Sequence, residues 1–334
     1  MQEFDIAVVI VTYKSAELTV ESLKSLHSER LSGLKIRAVV VDNASGDLPA
    51  IEREVVANDW SSWITLLSAP KNGGFAYGNN FGLQRVFASG MPSYVYLLNP
   101  DAQVRPGAIS SLIDFLESNP DVGIAGSSFE NLDGSAWPMA FRFPGLVSEL
   151  IDGLQLGLAT KLLKRWNVAM VMDDINRPVD WVSGASMMIR PSVFKSIGGL
   201  DENYFLYFEE TDFCRRSKLA GFSTWYVPKS RVMHIAGQST NVTNYSEQPK
   251  RLPAYWFASR RRYFAMTYGI FNAMLIDVVA LFAQFVGSVK RAALGRDHTS
   301  TPYYIRDLLQ HTVLRRRNRD FPPSRSPDFS NQAH

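Results

Sequence analysis

Residues 5–13 (Asp-Ile-Ala-Val-Val-Ile-Val-Thr-Tyr) are apolar almost without a break, the pattern of a strand buried on both faces. A helical spacing follows with Leu18, Leu23 and Leu26. A second apolar run, Ile36 to Val41, ends in Asp42-Asn43-Ala44-Ser45-Gly46-Asp47, and a third, Trp63 to Ser68, leads into Lys71-Asn72-Gly73-Gly74-Phe75. The spacing then predicts a helix over 76–88, a strand from Tyr94 that stops at Asn99-Pro100-Asp101, a helix from near Pro106 to Ser118, and a strand over 122–127. Strand and helix alternating with short connections predict an α/β fold with a Rossmann-like, mostly parallel sheet flanked by helices. Each strand end then falls on one rim, where open α/β sheets bind ligands: Thr12-Tyr13, Asp42-Asn43, Asn72-Gly73-Gly74 and Asp101.

The pattern is less regular from Glu130 to Val179, a stretch holding Arg142, an amphipathic segment over 147–163 and the basic run 161–165. Irregular stretches of this length in a compact domain are functional loops or lids, and part of an acceptor site is expected here. Order returns with a strand over 180–190, a helix starting at Pro191, and a turn at Gly198-Gly199-Leu200-Asp201-Glu202. Then the aromatic run Phe205-Leu-Tyr-Phe208 meets three acids, Glu209, Glu210 and Asp212. Strand residues over 223–228 and 230–235 carry His234.

Two readings stand open at each of these positions. Asp42 either caps the following helix through an Asx turn or accepts the N–H of a pyrimidine base. Asn72-Gly73-Gly74 is either a turn using positive φ or a place where backbone approaches a ribose and its phosphates, with Asn79 or Asn80 adding contacts from the helix. Asp101 is a turn residue or a cation ligand, and His234 a packed core histidine or a neutral metal ligand. The acids at 209–212 either complement a helix dipole or include a general base whose pKa is raised by the aromatic wall. No Gly-x-Gly-x-x-Gly follows the first strand, which excludes the dinucleotide fingerprint.

Composition changes the picture mainly at the C-terminal side. The chain has 334 residues and a formal charge of +3, but 251–325 hold 13 Lys/Arg against 4 Asp/Glu. Arg260-Arg261-Arg262 precede an apolar segment, Tyr263 to Val289, in which Ala273, Asp277, Ala280, Gln284, Ser288 and Arg291 share one narrow helical face. Asp277 disfavours a membrane-spanning helix, which leaves an interfacial helix or one packed on the domain or on another subunit. The cluster Arg315-Arg316-Arg317 with Arg319 adds attraction to anionic lipid. From Asp320 onward Pro, Ser and Asn predict disorder. The single cysteine, Cys214, rules out an internal disulfide framework, and Met1–Asp5 lacks the features of a signal peptide.

Seven blocks carry a family resemblance: Val9-Ile-Val-Thr-Tyr13, Val40-Val-Asp-Asn-Ala-Ser45, Asn72-Gly-Gly-Phe-Ala-Tyr-Gly-Asn-Asn80, Leu97-Leu-Asn-Pro-Asp101, Trp181-Val-Ser-Gly-Ala185, Gly198-Gly-Leu-Asp201 and Tyr207-Phe-Glu-Glu-Thr-Asp-Phe-Cys214. In this order they resemble inverting family-2 glycosyltransferases, nearest the bacterial rhamnosyltransferase-like branch. The resemblance spans about 5–240 and implies a GT-A fold using Mg²⁺ or Mn²⁺. It places Asp101 as the last acid of an Asp-x-Asp-type motif whose first acid is here Asn99, with His234 completing the metal site. It implies pyrimidine recognition by Asp42 and a pocket lined by Thr12. Glu210 falls at the base position with Glu209 beside it, in place of the commoner Glu-Asp or Asp-Asp pair, which leaves the base open among Glu209, Glu210 and Asp212.

The expected organisation is therefore a catalytic domain over 1–245, with a donor half of about 1–105 and an acceptor half of about 106–245. A helical basic and apolar extension over 246–320 and a tail over 321–334 follow. Donor contacts are expected from Thr12, Tyr13, Asp42, Asn43, Asn72, Gly73, Gly74, Asn79, Asn80, Asn99 and Asp101, and acceptor contacts from Arg142, Trp181 and Gly184. The expected partners are a nucleotide-diphosphate sugar, best matched by dTDP-L-rhamnose through the resemblance alone, and a glycan or glycolipid acceptor. Peripheral contact of 260–291 with the inner face of the cell membrane, or homo-oligomerisation, is expected of a cytoplasmic enzyme, and nucleic acid is not. The competing class is a non-catalytic nucleotide-sugar binder or scaffold of the same fold.

Overall fold

The computed structural model describes residues 5–137, 140–154, 163–170, 172–234, 250–295, 301–312 and 321–330. Four strands of the first half, β1 (Asp5–Thr12), β2 (Lys35–Asp42), β3 (Ile64–Ser68) and β4 (Tyr94–Leu98), pair in parallel in the order 3-2-1-4. Between them run α1 (Ala16–Leu31), α2 (Leu48–Ala57) and α3 (Gly74–Ala88), and β5 (Ala102–Val104) and α4 (Ala108–Ser118) follow. Beyond β4 the sheet is mixed. β6 (Val122–Glu130) is followed by the short strands β7 (Ala136–Trp137), β8 (Ala140–Phe141), β9 (Ala169–Met170), β10 (Arg177–Val179) and β11 (Trp181–Val182), then by β12 (Ser186–Ile189) and β13 (Ser223–His234). β12 lies antiparallel between β4 and β6, β13 is parallel to β6, and the small sheet 11-8-9 stands apart.

β1 shows why its apolar run is uninterrupted. Ile6, Val8 and Ile10 enter one core with Leu23 and Leu26 of α1, Ile51 of α2 and Leu112 of α4. Ala7, Val9 and Val11 enter the other with Leu83 and Val86 of α3, Phe194 of α6 (Pro191–Ile197) and Phe213 of α7 (Glu209–Leu219). With period-2 alternation, both faces must be apolar when helices cover both.

The structure corrects the expected strand over 180–190. It breaks into β11 and β12 because the chain turns at 183–185, where the Ser186 amide donates to the Ser183 carbonyl at 3.3 Å. The apolar segment 263–289 is likewise two helices, α8 (Ala254–Tyr268) and α9 (Ile270–Ala293), separated by Gly269; α5 (Leu146–Leu154) and α10 (Tyr304–His311) pack with them. The arginines expected to flank a lipid-facing helix are instead buried. Arg260, 1% exposed, donates to Asp277 Oδ1 and Glu149 Oε2, both at 2.7 Å, and Arg262 donates to Asp201 Oδ2 at 2.9 Å. The narrow face with Asp277 is thus the inward one. α5 and α9 meet closely there, since a Cβ on Gly287 would overlap the Gly153 carbonyl.

Residues 321–330, expected to be disordered, lie along the α/β fold. Phe329 is buried against Phe87 and Phe194, the Gly199 amide donates to the Pro327 carbonyl at 2.9 Å, and the Arg325 amide donates to Asp201 at 2.9 Å. One aromatic anchor and backbone hydrogen bonds are enough to order a Pro-rich strip whose composition alone signals none. Arg315–Arg317 and Arg319 lie outside the described residues.

Candidate functional site

The four parallel strands do bring the predicted rim together. Thr12, at the end of β1, donates to Asp47 Oδ2 at 2.7 Å, and the Ser15 amide reaches the same oxygen at 2.9 Å. Tyr13 is partly exposed beside it. Asp42, at the end of β2, accepts the Ser45 amide at 2.8 Å and the Ser45 hydroxyl at 2.6 Å on one oxygen, and the Gly46 amide at 3.0 Å on the other. Of its two readings, the local turn is formed here, and base recognition would have to use the remaining lone pairs.

The Asn-Gly-Gly loop is tied to the same rim. Asn43 Nδ2 donates to Asn72 Oδ1 at 3.1 Å and to the Gly74 carbonyl at 3.0 Å, while Asn72 Oδ1 also accepts the Gly74 amide at 3.1 Å. Gly74 has φ of +86°, and a Cβ there would overlap the Phe205 carbonyl, which accepts the Phe75 amide at 2.9 Å. The close approach that the glycines permit is therefore made by the 205 backbone at position 74, and by the Tyr77 ring at position 73. Asn80 also departs from the expected donor role. Fully buried, it donates to the Leu200 carbonyl at 2.8 Å and accepts the Leu200 amide at 2.9 Å, clamping α3 to the 198–202 turn. Asn79 donates to the Phe75 carbonyl at 2.9 Å and keeps a buried Oδ1 without a partner among the described residues.

Past β4, Asp101 faces His234, delivered by the antiparallel pairing of β13 with β5, in which His234 stands opposite Ala102. His234 Nε2 lies 3.2 Å from Asp101 Oδ1 and 3.4 Å from Asn99 Nδ2, and the ring stacks on Trp137 at 5.8 Å. Both side chains are buried, yet Asp101 Oδ1 and His234 Nδ1 lack hydrogen-bonded partners among the described residues. Asp101 Oδ1, buried and without a hydrogen-bonded partner among the described residues, stands beside His234 Nε2, and an unsatisfied carboxylate oxygen next to an imidazole nitrogen has the chemistry of a divalent-cation site. Among the described residues no cluster of three His, Cys, Asp or Glu could hold a metal.

The acids of α7 sit behind an unusual turn. Tyr207 and Phe208 both have φ of +69°, a left-handed pair that non-glycine residues rarely adopt, and Phe208 packs on Trp256 and Tyr263 of α8. This bends the aromatic wall under the helix start and sinks its first two acids. Burial raises the Glu210 carboxyl from 4.5 to about 7 against its own amide and that of Gly184, and burial with the Glu210 charge pushes Glu209 well above the carboxylate range. A helix dipole is worth about 0.3–1 kcal/mol, less than one pKa unit, so burial decides the direction. Glu209 Oε2 and Glu210 Oε2 both lack partners among the described residues. Asp212 is different: Arg216 donates to it at 2.7 Å and also holds the Ile197 and Gly199 carbonyls, tying the helix start to the 197–199 turn.

Glu210 opens onto a cavity of about 590 Å³ whose walls include Trp181, Tyr207, Phe208, Trp256, Tyr303 and Arg291. Trp181 is held by donating to the Arg142 carbonyl at 3.0 Å and stacking on Phe141 at 4.1 Å. Gly184 borders Glu210 through its amide. The Arg142 side chain turns to the Asn167 carbonyl at 3.2 Å and is absent from the cavity wall, so its part is to seat Trp181. Sequence reasoning missed Asp47 and the α8–α10 contribution to this wall. The available signal was the run of Trp, Tyr and Arg after residue 250.

Comparison with known proteins agrees with this architecture. A mannosyltransferase from Pyrobaculum calidifontis, solved with GDP-Man and Mn²⁺, superimposes with a TM-score of 0.56 at 14% identity, covering 93% of this chain and 79% of that one. These values show a shared GT-A fold. An N-acetylglucosaminyl-diphospho-decaprenol L-rhamnosyltransferase from Mycobacterium tuberculosis is 34% identical over 151 residues, 44% of this chain and 48% of the relative. The chain thus spans about half the length of that relative. A dTDP-rhamnosyl transferase, RfbF, from Shigella flexneri is 25% identical over 241 residues, 71% of each chain. The family described as Glycosyltransferase like family 2 matches residues 4–269, which takes in β1 through α8 together with the rim and the buried acid pair, and the chain belongs to that family.

Proposed function

We propose that this protein is an inverting, divalent-cation-dependent glycosyltransferase that moves a sugar, L-rhamnose from dTDP-L-rhamnose being best supported, onto a glycan or lipid-linked glycan acceptor in bacterial envelope synthesis. It works at the inner face of the cell membrane as a peripheral protein. The single observation that carries the catalytic reading is Glu210, its carboxyl near 7, on the wall of an aromatic cavity at the end of the fold where the family's acid block falls. The names of the rhamnosyltransferase relatives support the donor and the acceptor class.

Glu210, ionised, accepts the proton of an acceptor hydroxyl as its oxygen bonds to the anomeric carbon. The bond from that carbon to the diphosphate breaks on the opposite side, and configuration inverts. Trp181 and Trp256 offer faces for sugar stacking, and the Gly184 amide orients the base. Asp101 and His234 would hold the cation, which when bound supplies positive charge for the departing diphosphate. Thr12, Asp42 and the 72–74 loop form the shelf for the nucleotide.

Incubation with dTDP-L-rhamnose, UDP-sugars or GDP-sugars in Mg²⁺ or Mn²⁺, with lipid-linked N-acetylglucosamine as acceptor, tests the proposal. Release of nucleoside diphosphate from one donor, abolished by EDTA, is expected. Donor binding without turnover on any acceptor would favour the binding-scaffold class, and no donor binding at all would sink both.

A further inference from the structure

We infer that the outer face of α9 is a bilayer-docking surface that seats the protein on anionic lipid, with the Glu210 cavity at the lipid boundary. Phe271, Leu275, Val278, Phe282, Phe285 and Val289 project from this face, each at least 50% exposed and Phe271 87% exposed. α9 is long and apolar enough to cross a membrane, the one such helix among the described residues. Its inward face argues against crossing. Asp277 there is 1% exposed and bonded to Arg260, and Ala273, Ala280, Ala283 and Gly287 are buried. A helix anchored this way can lie in the interface with its free face in the headgroup region, about 5–10 Å deep.

The six positions recur at intervals of four and three, which a second helix could also cover. The flanks decide between these occupants. In a helix pair the positions beside the seam carry charges that fix partner and register. Here those positions are Asn272, Met274, Val279, Leu281, Val286 and Ser288, none of them charged, and Asp277 on the other face is the one charge between Ile270 and Val289. A broad apolar face with no charged rim suits lipid. Lys290 and Arg291 close the helix, and positive charge at its end has the sign that an anionic bilayer attracts.

The other side of the same helix gives the docking a purpose, one that rests on the proposed lipid-linked acceptor. Gln284, Ser288 and Arg291 line the cavity that holds Glu210. A protein seated by α9 therefore presents its base near the plane where a lipid-borne sugar resides.

Flotation of the full chain with vesicles of phosphatidylcholine containing about 30% phosphatidylglycerol tests this without donor or acceptor. Wild type is expected to float, more weakly on phosphatidylcholine alone, and Phe282→Ser/Phe285→Ser to lower the partition coefficient at least about 10-fold. Thermal melting and dTDP-L-rhamnose binding should be unchanged in that variant; Val278→Ser, a milder change, gives a second reading if the double variant melts early. Wild type remaining unbound, or variants floating equally well, would overturn the inference. So would a wild-type dimer that never floats and is dissolved by the same substitutions, which would assign the face to a second copy. Flotation by a protein that binds no nucleotide sugar would leave the docking standing and remove the transferase reading.

Discussion

At the ends of β1 and β2 and in the Asn-Gly-Gly loop the polar groups satisfy one another, whereas at the cavity the acids are left wanting. Asp42, Asn43, Asn72 and Asn80 spend their hydrogen bonds on neighbouring loops, holding β1, β2 and α3 in one fixed shelf. Glu209 and Glu210 each keep a buried oxygen without a partner among the described residues. The contrast separates groups that shape the fold from groups whose discomfort is available for chemistry. Asp212, a shorter side chain in a similar place, differs from the pair in that Arg216 engages it at 2.7 Å.

The largest expected effect tests the acid pair. Glu210→Gln should cut turnover about 10²–10⁴-fold while donor affinity, read by calorimetry, is kept. Loss of donor affinity in that variant would show that Glu210 belongs to the shelf instead. Next, Arg260→Ala should cost about 3–5 kcal/mol in urea unfolding, because it strands Asp277 and Glu149 as buried charges. A cost below about 1 kcal/mol would mean that the C-terminal helices are held by apolar packing alone. Smaller again, Asn80→Ala should cost about 1–3 kcal/mol of stability with donor affinity unchanged. A large drop in donor affinity at intact stability would return Asn80 to the donor contacts first expected of it.

The subtlest test is pH. A base must be ionised, so kcat/KM should fall as pH drops through about 7, where the Glu210 carboxyl takes its proton. Stability should run the other way. The folded protein holds protons on Glu209 and Glu210 that the unfolded chain releases above its ordinary carboxylate pKa. Unfolding is thus opposed most at low pH, and the contribution fades as pH rises towards about 7. Opposite trends in a rate profile and in urea midpoints would mark one pair of acids as the source of both; parallel trends would exclude it.

The sequence made the parallel half legible because its information is local. β1 to β4 are short apolar runs, each closed by polar or glycine residues, and the periodicity carries the layer order with it. The rim followed from those strand ends, and the place where an aromatic run meets three acids is visible in the same local pattern. What was hidden depended on distant partners. Nothing near Asn80 announces the 198–202 turn that it clamps, and nothing near Asp277 announces Arg260, so a buried ion pair read as a polar stripe. The cavity wall joins α7 to helices more than forty residues downstream, a juxtaposition that no spacing rule encodes. The break at Gly269 inside an apolar stretch is of the same kind, since hydropathy averages over it.

The strip from Phe321 to Ser330 has a consequence for how the molecule comes into being. Its Phe329 plugs the gap between α3 and α6, and its backbone hydrogen-bonds to Gly199 and to the Asp201 carboxylate. Every other described element precedes it in the chain. During synthesis the catalytic half can therefore gather its strands early, but the aromatic socket formed by Phe87 and Phe194 stays open until these residues have left the ribosome. The nascent protein carries that socket as a sticky patch for the time in between, and closing it joins residues more than a hundred positions apart.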